Sequence, residues 1–137
     1  MEIEVKQLEG STFVGRGESS HWTVMDAAEE VDGHDGATRP MEMLLISLGG
    51  CTGIDLNTLL NKMRVDYDDI DITISGDRND DHPKYYTEIH VAYRVYGADL
   101  SEDKVAKAVR LTQERYCSVT HSLKAEVSYD YEIVSPE

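Results

Sequence analysis

Apolar and polar residues alternate along much of this chain. Ile3 and Val5 alternate with Glu2, Glu4 and Lys6, Gly10-Ser11 interrupts them, and two further short runs follow, Thr12-Phe13-Val14 and His21 to Met25. This spacing predicts a three-stranded antiparallel meander. Ile70, Ile72 and Ile74 then alternate with Asp69, Asp71 and Thr73. After an Asn-Asp-Asp-His-Pro turn, Ile89, Val91, Tyr93 and Val95 repeat the pattern, which predicts a hairpin. Val127, Tyr129, Tyr131 and Ile133 form a last alternating run.

Between these runs the period changes. Thr38-Arg39-Pro40 opens a helix in which Pro40 fits the first turn, Glu42 favours the positive end, and Met41, Leu44, Leu45 and Leu48 follow, ending near Met63. Apolar residues face every direction from Met41 to Gly50, so the first half is expected to lie in the core. Ser101 can cap a second helix with Glu102 and Asp103 in its first turn. Val105, Ala108, Val109 and Tyr116 make its stripe, and Cys117 lies at its end. Ala27 to Arg39, with Gly33 and Gly36 in Asp-Gly-His-Asp-Gly, reads as a loop. The order is βββ-α-ββ-α-β, an α+β chain without repeats, and 137 residues fit a single domain, 1–137.

Composition narrows the possible partners. With 27 acidic against 13 basic side chains the net charge is −14, so nucleic acid and anionic membranes are not expected to bind. Met1-Glu2-Ile3-Glu4 lacks the basic start and apolar run of a signal peptide, and no stretch offers about 18 uncharged apolar residues, so the expected location is the cytoplasm. In a reducing compartment, two cysteines that meet in the fold point to catalysis or redox sensing, and two that do not meet are inert core residues.

Cys51 follows Gly49-Gly50, and two glycines inside a helix cost about 1 kcal/mol each relative to alanine. Close approach of another backbone would account for them, with Cys51 either a small packing residue or a reactive thiol. A reactive thiol needs nearby positive charge, for which Arg16, between Gly15 and Gly17, and Arg39 are the local candidates. Asp55, one turn after Cys51, opposes the thiolate unless an arginine neutralises it. Glu42 is nine residues before Cys51, on the opposite face of an unbroken helix. Cys117 is 66 residues away, which excludes a zinc motif built on close cysteine pairs. The five histidines show no ligand spacing, and no metal is expected.

The run Arg39-Pro40-Met41-Glu42-Met43-Leu44-Leu45-Ile46-Ser47-Leu48-Gly49-Gly50-Cys51-Thr52-Gly53-Ile54-Asp55 resembles the cysteine helix of the OsmC/Ohr superfamily. His21-Trp22-Thr23-Val24-Met25-Asp26 and Glu114-Arg115-Tyr116-Cys117-Ser118-Val119 agree with it, and the likeness is strongest to the YhfA-like branch. The resemblance implies an OsmC-like fold, with two long helices enclosed by antiparallel sheets in an intertwined homodimer. It also implies a peroxidase needing no cofactor. Cys51 would attack an organic hydroperoxide or hydrogen peroxide, Cys117 would condense with the resulting sulfenic acid, and an external dithiol would reduce the disulfide.

By the same resemblance Arg16 or Arg39 would activate Cys51. Met41, Glu42, Leu44, Leu48 and Asp55 would border the substrate, with Met41, Leu44 and Leu48 receiving an alkyl group. Met41 stands where the organic hydroperoxide enzymes carry the glutamate that clamps the arginine, and Glu42 is about 100° further round the helix. A redox-sensing or small-ligand-binding protein on the same fold is the alternative.

Overall fold

A computed structural model describes residues 1–136, which divide into two compact units, Met1–Leu44 and the chain from Leu45 onward. In the first unit β1 (Glu4–Glu9), β2 (Thr12–Arg16) and β3 (Thr23–Met25) pair in sequence order, each antiparallel to the next. This is the meander the alternation predicts.

The acidic loop after β3 is organised around one carboxylate. Asp26 is 2% exposed and accepts hydrogen bonds from the backbone N–H groups of Ala27 (2.8 Å), His34 (3.1 Å) and Gly36 (3.0 Å) and from the Thr12 hydroxyl (2.9 Å). Burial pushes this carboxyl up, but the four donors outweigh it and hold Asp26 well below the usual carboxylate range. Gly33 is required for a different reason. A Cβ built there would lie 2.0 Å from the Ala27 carbonyl oxygen, so only glycine lets the loop fold back against Ala27.

α1 (Pro40–Lys62) begins at the proline, with the Glu42 carboxylate accepting the Arg39 N–H at 2.9 Å, half of a capping box. In the second unit it is followed by β4 (Asp69–Arg78), β5 (Tyr86–Tyr96), α2 (Glu102–Leu111), α3 (Ser118–Ser122) and β6 (Glu126–Val134). β4 and β5 form the expected antiparallel hairpin, and Ser101 caps α2 by accepting the Lys104 N–H at 3.4 Å. The α+β element order agrees with expectation, α3 being a short addition.

The last strand departs from the antiparallel expectation, because β6 pairs parallel to β5, from Glu88 with Glu126 to Tyr96 with Val134. Helical crossovers return the chain in the direction it left, and α2 and α3 make such a crossover here. The second sheet therefore has the order β4-β5-β6 with mixed direction.

The core of this unit consists of Leu48, Leu56 and Leu60 from α1, Ile89, Val91, Tyr93 and Val95 from β5, and Val105, Ala108 and Val109 from α2, all 2% exposed or less. The first half of α1 is less buried than its all-round apolarity suggests. From Met41 to Gly50 Leu48 alone is fully buried, while Ile46 is 57% exposed and, further on, Ile54 is 69% exposed. One chain supplies apolar partners to only one side of this helix. By length and composition α1 could also cross a membrane, a test that core helices pass as well.

Two of the helical glycines, Gly49 and Gly53, face side chains rather than a neighbouring backbone. A Cβ on Gly49 would stand 3.2 Å from Ile74 Cδ1, and one on Gly53 would stand 3.4 Å from Ile72 Cδ1, so β4 isoleucines occupy the space beside α1. A Cβ on Gly50 would meet nothing within 4 Å.

Candidate functional site

Cys51 lies in the middle of α1, half-buried, with Asp55 one turn later on the same face. The Cys51 Sγ to Asp55 Oδ2 distance is 4.0 Å. Partial burial raises the Asp55 carboxyl from its ordinary value. Thr52, fully buried, turns its hydroxyl back to the Gly49 carbonyl at 3.2 Å, which fixes the turn carrying the thiol.

Cys117 reaches the same place from the other end of the unit. α2 does not continue to Cys117 as a regular helix. It widens over Thr112–Tyr116 into a π turn, closed by the Cys117 N–H bonding the Thr112 carbonyl at 2.8 Å. The extra residue moves Tyr116 off the apolar stripe expected of it, and Tyr116 is 45% exposed. Cys117 then caps α3, its Sγ accepting the Thr120 N–H at 3.4 Å. Burial raises the Cys117 thiol, Thr120 partly offsets this, and the neighbouring Cys51 raises it further.

Both cysteines are free, and one ligand atom from each of Cys51, Asp55 and Cys117 lies within 4.8 Å of the other two. Around the inner thiol runs a buried polar chain in which Gln113 Nε2 donates to the Tyr93 hydroxyl and the Thr120 hydroxyl lies 3.5 Å from Gln113 Oε1. Burial raises the Tyr93 phenol, while Gln113 and Thr52 hydrogen bonds act the other way. Sequence reasoning missed Tyr93, Gln113 and Thr120. They stand on separate elements with no common spacing, and the one available signal was that a core tyrosine needs a partner for its hydroxyl.

The remaining candidates have their own partners. Arg16 Nε donates to Glu4 Oε2 at 3.2 Å, and its guanidinium lies 4.6 Å from the Trp22 ring centroid. Arg39 bonds Asp35 Oδ1 at 2.5 Å and the Ala37 carbonyl at 3.2 Å, and Asp35 raises its already high pKa. Leu48 is in the core, Met41 is half-buried, and Leu44 and Glu42 are exposed. An apolar groove of about 340 Å³ beside the cysteine turn is lined instead by Leu45, Ile46, Gly49, Gly50, Ile72 and Ile74.

The family model described as OsmC-like protein matches residues 33–132, a span holding Cys51, Asp55 and Cys117. The chain belongs to the OsmC-like protein family. This OsmC-like chain is 37% identical over 137 residues to protein YhfA of Escherichia coli, covering 98% of this chain and 99% of that one. Among solved structures it is similar to a hypothetical protein from Aquifex aeolicus, at 30% identity and TM-score 0.86, covering 99% and 97% of the two chains. It also shares its fold with the organic hydroperoxide resistance protein OsmC from Legionella pneumophila, at 13% identity and TM-score 0.68, covering 98% and 97%. Within the family span Arg39 is included, whereas Arg16 precedes it.

The proximity of Asp55 to Cys51 carries a prediction for this OsmC-like chain. The Cys51 thiol meets the Asp55 carboxylate at 4.0 Å, a contact that the neutral amide of asparagine would weaken. Asp55→Asn is expected to raise the rate of Cys51 alkylation by iodoacetamide at neutral pH several-fold, followed by intact mass. An unchanged rate would mean that the carboxylate does not act on the thiol.

Proposed function

We propose that this protein is a thiol-dependent peroxidase that reduces organic hydroperoxides or hydrogen peroxide through Cys51 and Cys117. The observation that supports it most directly is the meeting of two free thiols, 66 residues apart in sequence, within 4.8 Å. The sulfur of Cys51 attacks the outer peroxide oxygen, the O–O bond breaks, and Cys51 becomes a sulfenic acid while the alkoxide leaves as the alcohol after protonation. Cys117 then attacks the sulfenic sulfur. A disulfide forms, and the sulfenic oxygen departs as water with the Cys117 thiol proton. An external dithiol returns two electrons and two protons, so the cycle runs without metal, flavin or haem.

Several further assignments belong to this reading. Arg16 or Arg39 supplies the positive charge that favours the Cys51 thiolate and orients the peroxide. Met41, Glu42, Leu44, Leu48 and Asp55 border the substrate, together with the groove formed by Leu45 and Ile46. The chain acts as a single domain in an intertwined homodimer in the cytoplasm, and exposed Ile46 and Ile54 favour a second copy beside α1. The naming of the Legionella relative for organic hydroperoxide resistance supports the substrate class.

One observation favours redox sensing with slow turnover as a second reading. Asp55 faces Cys51, while both candidate arginines already hold carboxylates. The deciding experiment supplies cumene hydroperoxide or hydrogen peroxide with a dithiol and follows peroxide loss. Sustained turnover that Cys51→Ser abolishes is expected. A single stoichiometric oxidation without turnover would instead identify a sensor, and persistence of peroxide with both thiols reduced would end both readings.

A further inference from the structure

We propose that, with both thiols reduced, Cys51, Asp55 and Cys117 form a three-ligand site for a thiophilic divalent cation of the Zn²⁺ class, and that the bound ion and a peroxide exclude each other at Cys51. The second half rests on the peroxidase reading; the first does not.

The geometry carries the site. A tetrahedral ion sits about 2.3 Å from thiolate sulfur and about 2.0–2.2 Å from carboxylate oxygen, which places its ligand atoms roughly 3.4–3.8 Å apart. Cys51 Sγ and Asp55 Oδ2 are already 4.0 Å apart, and all three ligand atoms lie within 4.8 Å of one another. Side-chain movements of about 1 Å therefore bring the set to bonding distance. Two ligands are fixed one turn apart on α1, and the third is held where the π turn ends, its sulfur steadied by the Thr120 N–H. Sequence spacing excludes a zinc motif of adjacent cysteines, but here the fold brings in the third ligand from a distant segment.

The donor chemistry selects the ion. Two thiolates with one carboxylate form a soft, anionic set that suits Zn²⁺, Co²⁺ or Cd²⁺ and disfavours Mg²⁺ and Ca²⁺, which take oxygen donors. Three protein ligands leave a fourth position for water. An ion bonded to Cys51 Sγ engages the electron pair that peroxide attack requires. Conversely, a Cys51–Cys117 disulfide removes both anionic sulfurs and releases the ion.

Titration of the reduced, oxygen-free protein with Co²⁺ tests the site directly. The expected result is saturation at one ion per chain with a thiolate-to-metal charge-transfer band in the near ultraviolet. Zn²⁺ should displace Co²⁺, and Cys51 should be protected from alkylation. Cys51→Ser should lose the band, and Asp55→Asn should keep it with affinity about tenfold weaker or more, since even groups that merely support a ligand contribute about 10–100-fold. The diamide-oxidised disulfide form of the unaltered protein serves as the second arm, since it removes both anionic sulfurs without altering any side chain at the fully buried Cys117 position, and it should show no band. Absence of the band in the reduced protein, or its persistence in Cys51→Ser or in the disulfide form, would overturn the site; unchanged affinity in Asp55→Asn would overturn the three-ligand set. Peroxide consumption with Zn²⁺ bound should fall at least tenfold and return when a chelator is added. Consumption unaffected by bound Zn²⁺ would overturn the mutual exclusion, whereas a charge-transfer band in a protein inert to peroxide even with chelator would refute the peroxidase reading and leave the site standing.

Discussion

On the peroxidase reading, replacing Cys117 with serine is expected to turn the protein from a recycling catalyst into a reagent spent after about two peroxides per chain. Cys51 would still be oxidised to the sulfenic acid, but the sulfur that lies within 4.8 Å of it would be gone. With no thiol to condense, the sulfenic acid stays open to a second peroxide and proceeds to the sulfinic state, which a dithiol does not reverse. Intact mass should show a gain of two oxygens on Cys51 after excess peroxide, and turnover with dithiol should fall by two orders of magnitude or more while the first oxidation keeps its rate. Undiminished turnover would show that the external reductant attacks the sulfenic acid itself and that Cys117 is a packing residue. Serine suits the position, since its oxygen can accept the Thr120 N–H as the sulfur does.

Asp26→Asn is expected to produce the largest loss of stability among substitutions in the first unit. An amide nitrogen would confront at least one of the N–H donors of Ala27, His34 and Gly36, and the charge that strengthens all four hydrogen bonds would vanish. The melting temperature should drop well beyond that of the exposed control Glu30→Gln, and amide hydrogen exchange at His34 and Gly36 should accelerate. The pH dependence follows from the direction of the shift. The carboxyl is held low in the fold and returns to about 3.9 when unfolded. Its stabilisation is therefore complete above that value and is lost as pH falls through the lower folded value. Parent and variant should converge in acid, and a constant gap down to that range would mean that the carboxylate is not what holds the loop.

The sequence made the architecture readable wherever one face of an element is apolar and the other polar. The alternation of Ile70, Ile72 and Ile74, and of Ile89 through Val95, marked the hairpin, and Pro40 with Glu42 marked the first turn of α1. The direction of β6 was not readable, because alternation has the same appearance in parallel and antiparallel strands. The π turn was hidden for a related reason, since one extra residue in a helix leaves composition unchanged and shifts only the face on which Tyr116 emerges. At the site, Cys51 with Asp55 was legible from one-turn spacing. The meeting with Cys117 depended on tertiary structure and entered from family resemblance alone, and the polar chain of Tyr93, Gln113 and Thr120 could not be assembled from residues scattered over three segments.

The parallel seam between β5 and β6 also orders events during synthesis of the chain. Every pair of partners along it, from Glu88 with Glu126 to Tyr96 with Val134, is separated by 38 residues, whereas β4 and β5 meet across a short turn. Closing the nearer loop sacrifices less chain freedom, so the hairpin can assemble while the crossover is still being made. The crossover also carries Cys117, and β6 docks only after it is complete. A nascent chain therefore presents Cys51 before Cys117 has been added, and the two thiols meet late, once the crossover has been made.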